Sequence, residues 1–401
     1  MTMSKVMEPK IRIAGFVQDW QKKPFGDMVM RSSASAISPF LPHIEYEDIV
    51  SGRGILNKDP QDKINTNKQG QLFQPGDLLF GKLRAYLQNN FVAYFQGVAV
   101  GDFWILRPNE DVNFLFNLIR TEQFQKIANT SIGTKMPRSD WGFVSSSEYY
   151  IPKKEEQKAI ALFLGSIENS MQKSESELRK LQDIKKAYRS ILFPRPGEKK
   201  PRLRFKGFTE EWNTTPLSDY LTIRTDICGN DYTVNDVLSV SGEYGVVNQI
   251  AFQGRSFAGA SIANYRVVNV GNVIYTKSPL KANPYGIIKA AKKEEGIVSP
   301  LYAVYNTTEK GNANFIQVFF DEEVSLNNYL RPLVNKGAKN TLLISDSTAI
   351  SGMVTFPQVE EQKAIADFFV SLDTLIQTNK RRLEQLRHIK EACLDGMFVN
   401  E

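Results

Sequence analysis

The heptapeptide Glu-Glu-Gln-Lys-Ala-Ile-Ala occurs at residues 155–161 and returns unchanged at 360–366. A second landmark also recurs: Pro9-Lys10-Ile11-Arg12-Ile13-Ala14-Gly15-Phe16 with Trp20 comes back as Pro201-Arg202-Leu203-Arg204-Phe205-Lys206-Gly207-Phe208 with Trp212. The offsets are 205 and 192 residues, so the second half carries 13 more residues between its landmarks. Solenoid repeats run to roughly 20–50 residues, and this period is far longer. The chain is therefore a duplicated domain unit. Its 401 residues also exceed the roughly 250–300 at which a single core stops growing.

Each half opens strand-rich and closes on a long helix. The segments are 1–154, a helix at 155–193, a Pro/Gly/Lys linker at 194–200, a second strand-rich part at 201–358, and a C-terminal helical part at 359–401. Short β-branched and aromatic runs follow turn signals, as in Gln74-Pro75-Gly76-Asp77 before Leu78-Leu79-Phe80 and Val270-Gly271-Asn272 before Val273-Ile274-Tyr275. Gly97-Val98-Ala99-Val100 matches Gly296-Ile297-Val298-Ser299, and Phe114 to Ala128 has the periodicity of one helix. A twisted, mostly antiparallel sheet is expected in each strand-rich part.

In the long helices the apolar positions are Ile160, Leu164, Ile167, Met171, Leu178, Leu181, Ile184, Tyr188 and Ile191, then Ile365, Phe369, Leu372, Ile376, Leu383, Leu386, Ile389, Cys393 and Met397. Steps of four and three are those of a two-helix seam. The seam breaks once in each helix, at Ser174 and at Asn379, positions equivalent under the 205 offset. Antiparallel packing would bring those two face to face, either as a buried polar pair that fixes register or as a solvated gap. Phe163, Phe193, Phe368 and Phe398 fall near helix ends, beside the seam, to pack on the globular parts or on a partner. The fold class expected is α/β (α+β): two similar α/β domains joined by two long helices packed as an antiparallel coiled coil, a pseudo-two-fold internal repeat. About 38 residues at 1.5 Å rise give a rod of about 57 Å. Such a rod would space two domains much as a dimeric DNA reader spaces its half-sites.

Composition excludes more than it proves. Two cysteines (Cys228, Cys393) and two distant histidines (His43, His388) leave no four-thiolate or His-rich zinc site and little His-based catalysis. The net charge of +6 is compatible with nucleic acid without establishing it. No run reaches the about 18 apolar residues of a membrane span, and the polar start has no signal core; a reduced, cytoplasmic protein is expected. Asn283-Pro284-Tyr285-Gly286 lacks the second proline of an amino-methyltransferase motif and reads as a turn. Glu156-x-Lys158 and Glu361-x-Lys363 imitate the end of a nuclease motif, but they occupy first helical turns, where carboxylates suit the helix dipole. Neither a phosphate-binding nor a dinucleotide-binding glycine motif is present.

With these residues on view, the chain resembles the specificity subunit of Type I restriction–modification enzymes. The Pro201–Trp212 segment resembles the opening of that family's target-recognition domains. Pro152 before Glu155–Ala161 and Pro357 before Glu360–Ala366 resemble the starts of its two conserved helices. Gly76–Arg84 and Tyr275–Leu280 resemble its strand-and-loop segments near DNA. The resemblance covers essentially the whole chain. It implies two recognition domains (1–154 and 201–358), each reading half of a bipartite, asymmetric target in double-stranded DNA. It also implies two modification (methyltransferase) subunits and restriction (translocase/nuclease) subunits docked on the helices, and no membrane. No catalytic residue, metal or cofactor is expected in this chain; S-adenosylmethionine, ATP and Mg²⁺ would belong to the partners. The alternative is a coiled-coil protein adapter that reads no sequence.

Residue types that touch phosphates and bases then select the DNA-contact candidates. In the first half these are Lys82 and Arg84 after the Leu78–Phe80 run, Lys135 and Arg138 in a polar loop, and Arg31, Ser32 and Arg53. In the second half they are Lys277, Lys281 and Asn283, with Tyr285 as an aromatic contact, then Arg255, Asn264, Arg266, Lys339 and Asn340. Residues 201–358 hold 15 basic and 14 acidic side chains, so binding there must rest on a local patch.

Overall fold

The computed structural model describes residues 8–64, 67–130, 136–259, 261–337 and 342–399. The chain forms two compact units: Met1–Ser176 with Lys380–Glu401, and Glu177–Asn379. The candidates Lys135, Lys339 and Asn340 lie outside the described residues.

In the first unit a four-stranded antiparallel sheet runs in the order Val29–Ser32, Phe103–Pro108, Leu78–Gly81, Asn90–Val92. Its central strands read as unbroken apolar runs because both faces are covered. Side chains alternate between faces with period two. Leu78, Phe80, Trp104 and Leu106 face a core shared with the helices. Leu79, Phe103 and Ile105 face a second core with Phe73 and Phe91. A further sheet, Ser35–Ile37, Gln69–Phe73, Gly97–Ala99, His43–Ile44, ends in a parallel pair.

The second unit repeats this plan. Leu221–Ile223, Tyr302–Thr307, Val273–Thr276 and Ile287–Ala290 follow the same antiparallel order. Val273 and Tyr275 face one core, and Ile274 faces another. In both units a short ladder joins the start of the repeat to the strand before the long helix: Gln21–Pro24 with Glu148–Ile151, and Asn213–Pro216 with Met353–Phe356. The expected helix at 114–128 is two helices, Val112–Leu118 and Glu122–Ala128. Thr121 divides them: its hydroxyl donates to the Leu118 carbonyl and accepts from the Phe124 amide, an N-cap that the apolar spacing concealed.

The repeated landmarks meet in each unit. Arg12 forks onto Glu156 at 2.8 and 2.9 Å and donates to the Gln18 carbonyl. Arg204 forks onto Glu361 at 2.9 and 2.6 Å and donates to the Glu210 carbonyl. Gln157 accepts from the Asp111 amide and donates to the Pro152 carbonyl; Gln362 accepts from the Asn312 amide and donates to the Pro357 carbonyl. The second Glu of the heptapeptide is thus the socket for the opening segment, while the Gln ties the start of the long helix to the N-cap of the helix at Val112 or Ala313. For the Glu, a bidentate guanidinium outweighs the helix-dipole role expected from position alone.

The long helices are Lys154–Leu192 and Val359–Gly396. Within the first unit they run antiparallel, with Lys390 on Glu168 at 2.5 Å and Arg387 on Glu175 at 3.5 Å. Within the second unit Lys185 meets Asp373 at 2.5 Å, and the Tyr188 and Phe368 rings lie 4.9 Å apart. Most seam positions are buried or half-buried, but Ile184 (41 % exposed), Tyr188 (37 %) and Ile389 (48 %) are not. Ile184 and Ile389 are equivalent positions, so the seam drifts off both helices at the same place. Leu192, outside the expected series, is buried instead. A straight helix drifts about 20° per heptad from a strict 3.5 repeat, which moves late positions off the contact.

Phe193 and Phe368 pack into the second unit's core, and Phe398 into the first; Phe163 is exposed. Ser174 is buried, and its hydroxyl has no hydrogen-bond partner among the described residues. Asn379 donates to the Leu375 carbonyl of its own helix. Neither side chain has the hydrogen bonding of a polar register pair.

Candidate nucleic-acid interface

The sheets place one loop in each unit at the end of the equivalent central strand. In the first unit Leu78–Gly81 leads into Lys82, Leu83 and Arg84, then a single 3-10 turn, Ala85–Leu87. Lys82 lies 3.6 Å from Asp102, and the guanidinium of Arg138 lies 3.0 Å from the same carboxylate. The Arg84 amide donates to the Pro137 carbonyl, which pins the loop beside Arg138. Beneath them the Tyr46 hydroxyl donates to the Asp102 carbonyl at 2.5 Å and accepts from the Leu83 amide. Its ring stacks on Phe103, and burial pushes its pKa up to about 12. Arg84 itself is exposed and makes no ion pair among the described residues.

In the second unit Val273–Thr276 leads into Lys277 through Lys281. Lys277 and Arg266 both close on Asp346, each at 2.5 Å. Burial pushes the Asp346 carboxyl up, but the hydrogen bonds and charges of Lys277 and Arg266 outweigh it and hold it below its ordinary value. Lys281 is exposed and, among the described residues, makes no ion pair; Leu280 beside it is 43 % exposed. Asn283 forms the expected turn: its carbonyl accepts from the amides of Leu280 and Gly286. Gly286 has φ +93°, and a Cβ there would lie 2.0 Å from the Thr276 carbonyl oxygen, so only glycine closes this turn. The side-chain oxygen of Asn283 is buried without a partner.

The candidates therefore divide. Lys82 and Arg138 gather on Asp102, and Lys277 and Arg266 on Asp346. Sequence reading missed both aspartates because they come from distant segments. Arg53 lies elsewhere: it ion-pairs with Glu168 at 3.3 Å and Glu175 at 2.5 Å on the long helix, which occupies it as a clamp. Half-buried Arg120, which donates to the Gly52 carbonyl, supports the same clamp and was not anticipated. Arg31 lies over the Trp141 ring at 5.0 Å, and Ser32 caps the Ala34 amide. Arg255 covers Phe257 at 4.6 Å, and Tyr285 lies under Lys336 at 5.2 Å, its carbonyl taken by the Tyr275 hydroxyl. Asn264 is exposed. Among the described residues no group of three or more His, Cys, Asp or Glu could hold a metal ion. No described helix is long and apolar enough to cross a membrane.

No family model matches the chain. Among solved structures, the S subunit of a Type-I restriction-modification system from M. genitalium aligns over 98 % of this chain and 100 % of its own, with a TM-score of 0.64 and 11 % identity. The chain has the fold of that S subunit. Two further matches are the HsdS subunit from Thermoanaerobacter tengcongensis (95 % of this chain, 97 % of that one, TM-score 0.43, 16 % identity) and a chain from a study of type I R-M complex assembly (94 %, 96 %, 0.48, 14 %). The loops at Lys82–Leu87 and Lys277–Lys281 follow equivalent strands in the two units.

Proposed function

We propose that the chain is the DNA-specificity subunit of a Type I restriction–modification complex. The observation that carries this reading is the duplicated loop. In both units the equivalent strand is followed by a lysine buttressed by an aspartate (Lys82, Lys277) and, within the next four residues, by a cation with no ion pair among the described residues (Arg84, Lys281) and an exposed apolar side chain (Tyr86, Leu280). Cations position a phosphate backbone, and apolar and hydrogen-bonding groups beside them read bases. Two diverged copies suit a target with two different halves. In this reading the helices set the gap between the halves and dock methyltransferase and restriction subunits. S-adenosylmethionine, ATP and Mg²⁺ act on those partners, and this chain supplies recognition without chemistry.

The test is sequencing of methylated bases in cells with and without this chain and its methyltransferase. A bipartite motif with a fixed gap, lost on deletion, is expected. Replacing residues 1–154 should then change one half of that motif alone. Partner binding without any chain-dependent methylation or sequence-specific binding would establish the adapter instead.

A further inference from the structure

We infer that Tyr86 is a specificity element of the first unit, its ring stacking against a base step of the half-site that this unit reads. The inference rests on the DNA-reading function proposed above and names a contact within it.

Two observations single out this side chain. The first is how the turn is held. Arg84 and Gln88, which flank Ala85–Leu87, are the only non-glycine residues with positive φ among those described, both at 51°. Left-handed backbone at a residue with a Cβ is unfavourable and persists only where the surroundings impose it. Here they do. The Gln88 carbonyl accepts from the amides of Gly52 and Asn90. Buried Asn89 accepts from the Ser51 hydroxyl at 2.7 Å, and buried Asn90 accepts from the Gly81 amide at 3.2 Å. The Arg84 amide is pinned to Pro137.

The second observation is what this bracing presents. Ala85 is buried, while Tyr86 is 57 % exposed and Leu87 40 % exposed. A braced turn that holds an aromatic ring out into water gains nothing for the core. The same loop carries Arg84, without an ion pair among the described residues, and Lys82, which shares Asp102 with Arg138. That combination suits a duplex: cations anchor the backbone while a rigid ring enters a groove and stacks on, or wedges into, a base step.

The experiment uses the full chain in complex with its methyltransferase subunit. The probe is a duplex carrying the methylation motif found as above, with 2-aminopurine placed in turn at each step of the half-site assigned to residues 1–154. Wild-type complex should raise the fluorescence at one step. Tyr86→Ala should abolish that rise, weaken binding on the order of 10- to 100-fold, and leave the salt dependence unchanged, since no phosphate contact is lost. Tyr86→Phe should retain both affinity and signal. Unchanged affinity and signal in Tyr86→Ala would overturn the inference. An equal loss in Tyr86→Phe would also overturn it, by assigning the effect to the hydroxyl. Wild-type complex without sequence-specific binding would remove the underlying DNA-reading proposal, a result distinct from either.

Discussion

The guanidinium of Arg12 meets the carboxylate of Glu156 through two parallel hydrogen bonds, 2.8 and 2.9 Å, although 144 residues separate them in sequence. Glu156 is 3 % exposed, so removing its partner leaves a buried charge without compensation. Arg12→Ala should cost about 3–5 kcal/mol of stability, and Arg204→Ala a similar amount against Glu361. Arg12→Lys should recover only part, because an ammonium cannot fork onto both oxygens. Denaturant titration, with hydrogen exchange at the helix start after Lys154, measures both effects.

Asp102 and Asp346 hold the loop cations in place and also neutralise them. Asp346→Asn releases Lys277 and Arg266 together. Binding of the complex to random-sequence duplex should then tighten, and its dependence on log salt should steepen by about two units. Asp102→Asn should do the same for Lys82 and Arg138. Fluorescence anisotropy across a KCl series reads the slope. An unchanged slope would place these loops away from the DNA.

Acid should weaken the first unit through Glu168. Burial pushes this carboxyl up, but the hydrogen bond and charge of Lys390, with Arg120 and Arg53, outweigh it and leave it below its ordinary value. A depressed carboxylate stabilises the fold above the ordinary pKa of about 4.3. That contribution disappears as pH falls through the folded-state value. Thermal midpoints should therefore hold steady near neutrality and drop below about pH 4.3. In Glu168→Gln the midpoint at pH 7 should be lower and the acid-side slope shallower.

Ser174 lies buried in the first long helix with an unpartnered hydroxyl. Its neighbours Ser166 and Ser170 donate to carbonyls three and four residues back. A buried hydroxyl left unpaired costs about 1–3 kcal/mol. Ser174→Ala should therefore be neutral or stabilising by about 1 kcal/mol, visible in the denaturation midpoint. A marked loss of stability would show that the hydroxyl fixes helix register after all.

Much of this architecture was legible because the repeat ties residues to roles. Arg12 with Arg204 and Glu156 with Glu361 stand at matching places, and the structure shows why: they grip each other. The long helices and the Leu78–Phe80 and Val273–Tyr275 strands followed from periodicity and turn signals. What stayed hidden depends on distant pairing. Nothing near Arg53 signals that Glu168 and Glu175 will claim it, and nothing near Lys277 points to Asp346. The exposure of Ile184 and Ile389 follows from accumulated helical drift, which a list of apolar positions does not record. The left-handed turn at Arg84 and Gln88 carries no glycine to announce it.

The aspartate beside each loop lysine has one more effect. A free lysine that pairs with a phosphate releases cations condensed on the duplex, an entropy gain that favours any stretch of duplex equally. Lys82 and Lys277 carry their counter-charge within the fold, so each neutralises less of an approaching phosphate and releases fewer of the duplex's cations. A phosphate must displace a fixed carboxylate, and only a closely fitted site can offset that exchange. Under the proposed function, such an arrangement would leave random DNA loosely held, shorten pauses during search, and reserve long residence for a match.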